Sequence, residues 1–434
     1  MLKRKVISCF EKWYKEENRK ALLIKGARQV GKTTAVRQFA QSHYRHFIEI
    51  NFEQNPTAKR AFEGDLDADT LIMNLSAMGF GPFVKGNTLV FFDEIQSCPQ
   101  ARTAIKFLVE DGRFDFIESG SLLGINYKDV SSYPVGYEHQ IEMFPLDFEE
   151  YLWACNVSGE VTGELKKCHT EQKPVNAFLH QQMLRYLNQY FIIGGMPEVV
   201  NVFTQTSDIS QAFAVQTDII NSYRDDISKY AGKDKLLAKS VFDAIPQQLS
   251  KENKRFVIAE LEKGAAQRKY ASPTGWLSDA GIGYYSYNVS TLELPFAAFE
   301  KRNLYKFYLI DNGLLCSMLL GREGLQAEIL QGRLDINQGA LAENYVAAEL
   351  AKRGIPLHYY DRKSRQELDF VYPQGHKINV IEVKSGKDYQ RHASLNTAME
   401  KYGDSVNIGI VLCKGNVEYK NGILYLPLYM TMFL

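Results

Sequence analysis

The first third of the chain alternates short apolar runs with segments of helical spacing. Residues 21–24 form a continuous apolar run, as expected of a buried parallel strand, and residues 35–40 place apolar positions on one helical face. Residues 47–52 alternate, residues 88–92 are almost entirely apolar, and residues 113–121 predict a further strand that ends in a polar turn. Strands that alternate with helices predict an α/β fold around a parallel sheet.

Beyond residue 155 the pattern changes twice. Residues 156–175 are polar and contain two glycines and a proline, which predicts an exposed loop, and helical segments follow to about residue 234. A winged-helix pattern comes next, with three short helices and a β-hairpin: residues 236–249, 255–262, 272–280, 283–289 and 304–310. Residues 251–269 carry six Lys or Arg against three Glu. This basic excess suits DNA phosphates or, alternatively, the solvated face of a domain that contacts proteins.

Residues 26–34 fit the phosphate-binding pattern Gly-x-x-x-x-Gly-Lys-Thr between a strand and a helix. The two glycines allow backbone conformations in which several N–H groups converge on phosphate oxygens, and the following helix presents its positive N-terminal end. Lys32 is expected to reach the β- and γ-phosphates, and the Thr33 hydroxyl to bind Mg²⁺. The predicted nucleotide-binding residues of this loop are Gly26, Ala27, Arg28, Gln29, Val30, Gly31, Lys32, Thr33 and Thr34.

The apolar run at residues 88–92 is followed by two acids, Asp93 and Glu94. At the carboxyl end of a central strand, Asp93 would hold Mg²⁺ through water or Thr33, so both are predicted metal-site residues. Glu94, as a second carboxylate, can polarise the attacking water. Together with Lys32, which contacts the phosphates, it is a predicted catalytic residue of this site. The acidic pair indicates the additional-strand ATPases rather than the small GTPases.

The next strand predicts a sensor position. Ser119 and Ser121 end this strand and would lie beside the γ-phosphate at the edge of the sheet. Ser119 therefore joins Asp93 among the predicted nucleotide-binding residues. The alternative is a serine-rich turn without a ligand.

Composition limits the partners of the chain. Its 434 residues predict two to four domains, and Lys plus Arg balances Asp plus Glu at 51 each. A DNA contact therefore needs a local patch. The six cysteines have no C-x-x-C spacing, which predicts reduced thiols of a cytoplasmic protein. The charged N-terminus lacks the apolar run of a signal peptide, and the apolar residues 423–434 are too short to cross a bilayer, so no membrane partner is predicted.

A second set of candidate residues lies near the C-terminus. A predicted helix over residues 338–353 places Glu343 on an apolar stripe, where a carboxylate needs a partner or a metal. Asp369 lies on a predicted strand, and a returning strand carries Glu382 and Lys384 on one face. This is the pattern of the metal site in restriction-endonuclease-like nucleases.

In that interpretation the three carboxylates Glu343, Asp369 and Glu382 would hold Mg²⁺. Lys384 would orient or deprotonate the attacking water, and Asp369, Glu382 and Lys384 are the predicted catalytic residues of the site. The alternative is a nuclease-like fold without cleavage, because Glu-x-Lys is common on exposed strands.

Seven stretches of the chain match the motifs of one family. Residues 26–34 match almost letter for letter, and the other stretches are FPLDFEEYL (144–152), GGMPE (194–198), KFYLIDNGLL (306–315), LAENYV (341–346), ELDF (367–370) and IEVKS (381–385). Together they resemble the predicted AAA+ superfamily ATPases of bacteria and archaea that carry a C-terminal domain of unknown function. The resemblance covers nearly the whole chain and implies an N-terminal AAA ATPase, a winged-helix segment and a nuclease-like end.

One departure from that family concerns an arginine. Where the family usually has Gly-Arg ahead of the FPLDFEEYL stretch, this chain has Gly136 and Tyr137. Sites of the AAA type often use an arginine from a neighbouring subunit, so a homo-oligomer is an expected form. The candidate replacements are Arg102, Arg185 and Arg224.

These observations predict an α/β fold with four domains. They are a P-loop AAA+ ATPase core with a parallel sheet (1–155), a helical lid (156–234), a winged-helix domain (235–330) and an α/β restriction-endonuclease-like domain (331–434). The predicted function is hydrolysis of ATP with Mg²⁺, coupled to C-terminal domains with DNA as a candidate partner. The alternatives are an ATP-gated, Mg²⁺-dependent DNA nuclease and a nucleotide-dependent switch with little turnover.

Overall fold

The computed structural model describes residues 2–121, 134–262, 267–321, 338–362 and 366–434. The chain divides into two compact units. The N-terminal unit consists of residues 4–144 with 279–281, and the C-terminal unit consists chiefly of residues 145–278 and 282–434. The predicted boundary at residue 330 lies outside the described residues, as do Lys263 and the side chains of Ser121 and Arg268. The division into four domains stays a prediction.

The N-terminal unit is built on five strands: β1 Ala21–Gly26, β2 His46–Asn51, β3 Thr88–Asp93, β4 Asp115–Ser121 and β5 Glu138–Glu142. Its helices are α1 Val6–Tyr14, α2 Lys32–His43, α3 Ala68–Ala77 and α4 Pro99–Asp111, with 3-10 turns at Pro56–Phe62 and Ile95–Ser97. All strands pair in parallel, in the order β2-β3-β4-β1-β5. The predicted parallel α/β sheet is thereby confirmed.

Strand β4 lies between β1 and β3, so an additional strand separates the strand before the glycine loop from the strand that ends in Asp93. All six residues of β3 are buried, which explains its uninterrupted apolar run. Helix α4 begins with Pro99 and stops at Gly112, whose φ of +66° suits a glycine after a helix. Because the strands are parallel, the carboxyl ends of β1, β3 and β4 meet at one edge of the sheet.

The C-terminal unit contains eight strands: β6 Gly283–Val289, β7 Glu300–Leu309, β8 His358–Asp361, β9 Glu367–Gln374, β10 Lys377–Val383, β11 Val406–Cys413, β12 Glu418–Lys420 and β13 Ile423–Pro427. They form one mixed sheet in the order β12-β13-β11-β10-β9-β8-β6-β7. The described α-helices are α5 Phe148–Ala154, α6 Gly159–Thr170, α7 Ala177–Ile193, α8 Pro197–Thr206, α9 Ile209–Tyr230, α10 Lys235–Leu249, α11 Gln267–Asp279, α12 Asn312–Leu320, α13 Gln338–Lys352 and α14 Ala393–Tyr402. None of the described helices is long and apolar enough to span a membrane.

The hairpin of β6 and β7 belongs to the same sheet as the last six strands. Strand β6 pairs in parallel with β8, in a register that sets Tyr287 beside His358. The hairpin that the sequence assigns to a winged-helix domain therefore extends the sheet of the region predicted to be nuclease-like. Both fold assignments stay predictions.

One loop prediction is wrong. Residues 156–175, predicted as an exposed loop, contain helix α6. The helix buries Thr162, Leu165 and Cys168, which lie three residues apart and so share one face. Burial of this face outweighs the cost of about 1 kcal/mol for a glycine in the helix.

One helix prediction is also wrong. Residues 255–262 contain only a 3-10 turn at Ile258–Glu260. The amide of Phe256 donates to the Tyr305 carbonyl at 2.8 Å, and the amide of Val257 donates to Oε1 of Gln248 at 3.1 Å. Val257 is extended, with φ −107° and ψ +100°, so a helix cannot run through this residue.

Three of the family-like stretches meet in what we term the glycine clasp, formed by Leu146, Gly194, Gly195 and Asp311. The Gly195 amide donates to Oδ2 of Asp311 at 2.6 Å, and the Leu146 amide donates to the Gly195 carbonyl at 2.7 Å. The other Asp311 oxygen accepts from the Leu314 amide at 3.0 Å. A Cβ on Gly195 would overlap the Leu146 carbonyl, and one on Gly194 would overlap the Asp311 carboxylate. These motifs therefore have a structural explanation in close backbone packing.

Candidate functional site

The loop between β1 and α2 provides the backbone of the predicted phosphate site. Gly31 has φ +91° and Gln29 has φ +64°, both in the left-handed region. Gly26 lies so close to the Met143 carbonyl that a Cβ would overlap it. As the N-cap of α2, Gly31 brings no side-chain acceptor to the first amides of the helix. An anion can therefore accept from those amides.

The Lys32 ammonium is buried within this loop, with 6% of the residue exposed. Its Nζ donates to the carbonyls of Ala27 at 2.8 Å and Gly26 at 3.1 Å. Burial lowers the pKa of Lys32 to about 8, although the nearby carboxylates of Glu94 and Asp93 act in the opposite direction. A positive charge that is held by neutral carbonyls would gain a full counter-charge from a triphosphate.

Asp93 lies at the carboxyl end of β3 and collects four donors. The Thr33 hydroxyl and the Asn51 amide each donate to Oδ2 at 3.0 Å. The Ser119 hydroxyl and the Glu94 amide donate to Oδ1, the latter at 3.1 Å. The structure thus brings the predicted residues Thr33, Asp93 and Ser119 together.

Asn51 was not predicted from the sequence. It ends β2, and the parallel register sets it directly beside Asp93. A polar residue at the end of the neighbouring strand was the signal that could have found it. Thr33 and Asp93 supply the hydroxyl and the carboxylate that a P-loop uses for Mg²⁺, so the donor set fits this ion.

Glu94 has a left-handed backbone, with φ +54° and ψ +48°. Such a conformation is uncommon for a residue with a side chain and is frequently found at functional sites. Burial raises the pKa of Glu94, whereas the hydrogen bond from Gln96, at 2.5 Å, and the charge of Lys32 lower it. A carboxylate with a raised pKa is a better base toward water.

The three candidate arginines differ in their surroundings. Arg102 is 3% exposed and donates two bonds to Glu138, at 3.1 and 3.2 Å. Arg224 pairs with Asp243 at 2.8 Å, and Arg185 lies exposed on α7. The buried ion pair disfavours Arg102 as a residue that reaches another subunit. The assignment of a catalytic arginine stays a prediction.

The second predicted site contains lysines that the sequence analysis did not place there. Glu343, on α13, is buried between two ammonium groups: Lys306 Nζ lies 2.9 Å from its Oε1 and Lys254 Nζ lies 2.8 Å from its Oε2. The Tyr308 hydroxyl also donates to Oε1. Burial alone would raise the pKa of Glu343, but Lys254 and Lys306 lower it to about 2. Glu343 is therefore a fully ionised carboxylate with both oxygens in use.

Lys306 also lies 2.7 Å from Oε1 of Glu367 and 3.7 Å from Oδ1 of Asp369. We call these five residues, Lys254, Lys306, Glu343, Glu367 and Asp369, the acid–lysine cluster. Burial raises the pKa of Asp369 to about 7, together with the charge of Glu343 and against that of Lys306. Its other oxygen accepts from the Val383 amide at 2.8 Å.

The remaining two predicted residues form their own pair. Lys384 Nζ lies 2.6 Å from Oε1 of Glu382. Oε2 of Glu382 is buried and makes no hydrogen bond within the described part of the chain. Across the described residues, no group of three or more His, Cys, Asp or Glu side chains is arranged to hold a metal ion. Glu343, both of whose oxygens are held by ammonium groups, therefore does not fit Mg²⁺ as it stands, and the rest of the predicted C-terminal metal site stays a prediction.

Comparison with family models divides the chain into three matched segments. Residues 18–152 match the model of an AAA domain, and residues 184–326 and 338–430 match two models described as domains of unknown function, DUF8612 and DUF4143. The segment that matches the AAA domain contains both the glycine loop and the acidic strand of the parallel sheet, the two features that are typical of P-loop ATPases. The two later segments carry no assigned activity.

Individual proteins show more distant similarity. The uncharacterized protein MJ1544 of Methanocaldococcus jannaschii is 23% identical over 411 residues, which cover 90% of this chain and 82% of that protein. The Walker-type ATPase PABY2304 of Pyrococcus abyssi is 13% identical, with a TM-score of 0.43 over 74% of this chain and 96% of its own. The Orc1 protein of Aeropyrum pernix, solved in complex with DNA, is 12% identical, with a TM-score of 0.28 over 75% of this chain and 92% of its own.

Proposed function

We propose that the protein binds ATP in the loop at residues 26–34 and hydrolyses it. The observation that carries this proposal is the convergence of Lys32, Thr33, Asp93 and Glu94 at one end of the sheet. The loop amides and Lys32 would bind the phosphates. Thr33 and Asp93 would hold Mg²⁺, which neutralises charge on the phosphate oxygens when bound.

Glu94 has the properties of the general base in this proposal. Its backbone is fixed by the turn after β3, and its carboxylate lies near Lys32 and Gln96. It would accept a proton from the attacking water as the γ-phosphate is transferred. Ser119, bonded to Asp93, would connect the end of β4 to the metal-binding carboxylate.

Replacement of Glu94 tests the hydrolytic step. Glu94→Gln should lower the rate of phosphate release by about 10²–10⁴-fold and leave binding of a fluorescent ATP analogue within a few-fold of the parent. Glu49→Gln is the matched control, because Glu49 lies on β2 and pairs with the surface residue Arg37 at 2.6 Å. Equal turnover in the Glu94→Gln chain and the parent would contradict the proposal.

The role of the C-terminal unit is the less constrained part of the proposal. We infer that the nucleotide state changes what this unit binds, with homo-oligomer formation or DNA as the candidate readouts. The basic residues 251–269 give little support to DNA binding, because three of their lysines already form ion pairs. Lys251 pairs with Glu260, Lys254 with Glu343 and Lys269 with Glu262. Turnover with and without DNA, and light scattering with and without ATP, separate an ATPase from a switch with little turnover.

The six cysteines support a reducing compartment. All of them are free thiols in the structure, and four are buried. Unpaired buried thiols are usual in cytoplasmic proteins and rare in secreted ones. We therefore propose a cytoplasmic location, which fractionation of cells that express the tagged chain would test.

A further inference from the structure

The ammonium of Lys306 occupies the centre of the acid–lysine cluster. The residue is fully buried, and its Nζ lies 2.7 Å from Glu367, 2.9 Å from Glu343 and 3.7 Å from Asp369. The ammonium also lies 5.1 Å from the centre of the Tyr359 ring. Three carboxylates and an aromatic face thus surround one cation, which has three N–H donors and no acceptor.

This arrangement resembles the environment of a bound cation rather than that of a catalytic lysine. A buried ammonium loses its hydration, so it needs counter-charges and hydrogen bonds in fixed positions. The cluster supplies them from separate elements: Lys306 comes from β7, Glu343 from α13, and Glu367 and Asp369 from β9. A second ammonium, from Lys254, occupies the other oxygen of Glu343.

A divalent ion held by Glu343 and Asp369 would need the oxygens that Lys306 already contacts. Magnesium and manganese coordinate carboxylate oxygens at about 2.1 Å, and a cation at that position would lie against the Lys306 ammonium. Like charges at such a distance repel strongly in a dry interior. Metal and ammonium are therefore mutually exclusive occupants of these carboxylates.

We propose that Lys306 is a resident cation that takes the place of a divalent metal in the C-terminal unit. The unit therefore binds no Mg²⁺ at these acids and does not cleave DNA, and any DNA that it binds remains intact. Removal of the ammonium converts the same carboxylates into a site for a hard divalent cation. This inference is independent of ATP hydrolysis at the N-terminal loop.

Manganese binding tests the inference directly. The full chain carrying Asp93→Ala serves as the parent, so that the N-terminal site does not contribute to the signal of bound Mn²⁺ in electron paramagnetic resonance. Lys306→Gln, and Lys306→Ala combined with Lys254→Ala, should bind Mn²⁺ at concentrations about tenfold or more below any at which the parent binds it, and the double variant should bind it most tightly. Added Mn²⁺ should also raise the melting temperature of these variants and leave that of the parent unchanged.

Lys352→Ala is the matched control. The side chain of Lys352, also in the C-terminal unit, is only 6% exposed, and its Nζ lies 3.5 Å from Oε1 of Glu349 outside the cluster. Its removal subtracts the same charge without exposing grouped carboxylates, so it should create no manganese site. A gain of Mn²⁺ affinity equal to that of Lys306→Gln would show that net charge, not position, is responsible and would overturn the inference.

Two further outcomes would also overturn it. If the parent binds Mn²⁺ and loses it in Glu343→Gln, or nicks plasmid DNA in Mn²⁺ and loses that activity in Asp369→Ala, the acids are a working metal site. If a Lys306 variant is unfolded by circular dichroism in EDTA, Mn²⁺ should restore its fold, because the ion replaces the missing charge. A variant that stays unfolded in Mn²⁺ would contradict the exchange of one cation for another.

Discussion

The two units each contain a buried lysine close to carboxylates, but the partners of the two lysines differ. Lys32 donates to two main-chain carbonyls, and burial lowers its pKa to about 8. Lys306 is also penalised by burial, but its ion pairs, with Glu343 first, hold its pKa well above the ordinary value. Both hydrogen bonds of the first ammonium go to neutral carbonyls, whereas the second makes ion pairs with several carboxylates.

The loop with Lys32 therefore favours an anionic ligand, whereas the charges of the acid–lysine cluster already neutralise one another. A triphosphate improves the electrostatic surroundings of Lys32, because it supplies the anion that the loop lacks. A cation cannot improve those of Glu343, since Lys254 and Lys306 already hold both of its oxygens. Similar residue types in a sequence can therefore indicate opposite properties of a site.

The strongest test of this comparison exchanges the two lysines for methionine in turn. Lys306→Met should lower the free energy of unfolding by about 3–5 kcal/mol, because it leaves buried carboxylates without a partner. Lys32→Met should leave stability unchanged or slightly raised, yet lower ATP turnover by about 10²–10³-fold. Urea unfolding and phosphate release measure the two effects, and a Lys306→Met chain as stable as the parent would remove the distinction.

A pH titration of nucleotide binding tests the loop at residues 26–34 alone. Bound triphosphate favours the protonated form of Lys32, whose pKa without ligand is about 8. Affinity should therefore be constant below about pH 8 and fall by up to about tenfold per pH unit above it, because binding then requires proton uptake. A fluorescent ATP analogue reports the dissociation constant. The Lys32→Arg chain should show a flat profile across this range, and a flat profile in the parent would contradict the lowered pKa.

The smallest expected effect concerns Lys384, which pairs with Glu382 and has a side chain that is 32% exposed. Partly exposed ion pairs contribute about 1 kcal/mol or less, and glutamine keeps a donor for the buried Glu382 carboxylate, so Lys384→Gln should change the unfolding free energy by no more than that. If the C-terminal unit were a nuclease, the same change would remove the cleavage activity. Plasmid nicking by the parent that disappears in Lys384→Gln would restore the metal-site interpretation.

Contiguous motifs made the N-terminal site predictable. The glycine loop and the Asp93–Glu94 pair each lie within a few residues of a buried strand, so sequence spacing alone locates them on the sheet. Asn51 was not predicted, because its contact with Asp93 depends on the register of two parallel strands. A register of that kind cannot be read from either strand alone.

Of the acid–lysine cluster, the acids Glu343 and Asp369 were predicted from the sequence as site residues, but the two lysines were not. Glu343 on an apolar stripe signalled a buried charge that needs a partner, and the structure supplies lysines where the sequence suggested a metal. Lys306 is the only charged residue in the second half of β7, residues 304–309, which was a signal in itself. Lys254 directly precedes residues 255–262, which were predicted as helix, and the extended backbone of Val257 that interrupts this segment has no local signature.

The glycine clasp changes what similarity to this chain means. Its residues come from the FPLDFEEYL, GGMPE and KFYLIDNGLL stretches, and they join α7, α8 and α12 through the single carboxylate of Asp311. Sequence identity at these positions therefore indicates a common fold and does not by itself indicate a common reaction. Two proteins could agree at all three stretches and still differ in whether they turn over a nucleotide, because the residues that we propose for turnover lie elsewhere, in the loop at residues 26–34 and around the end of β3.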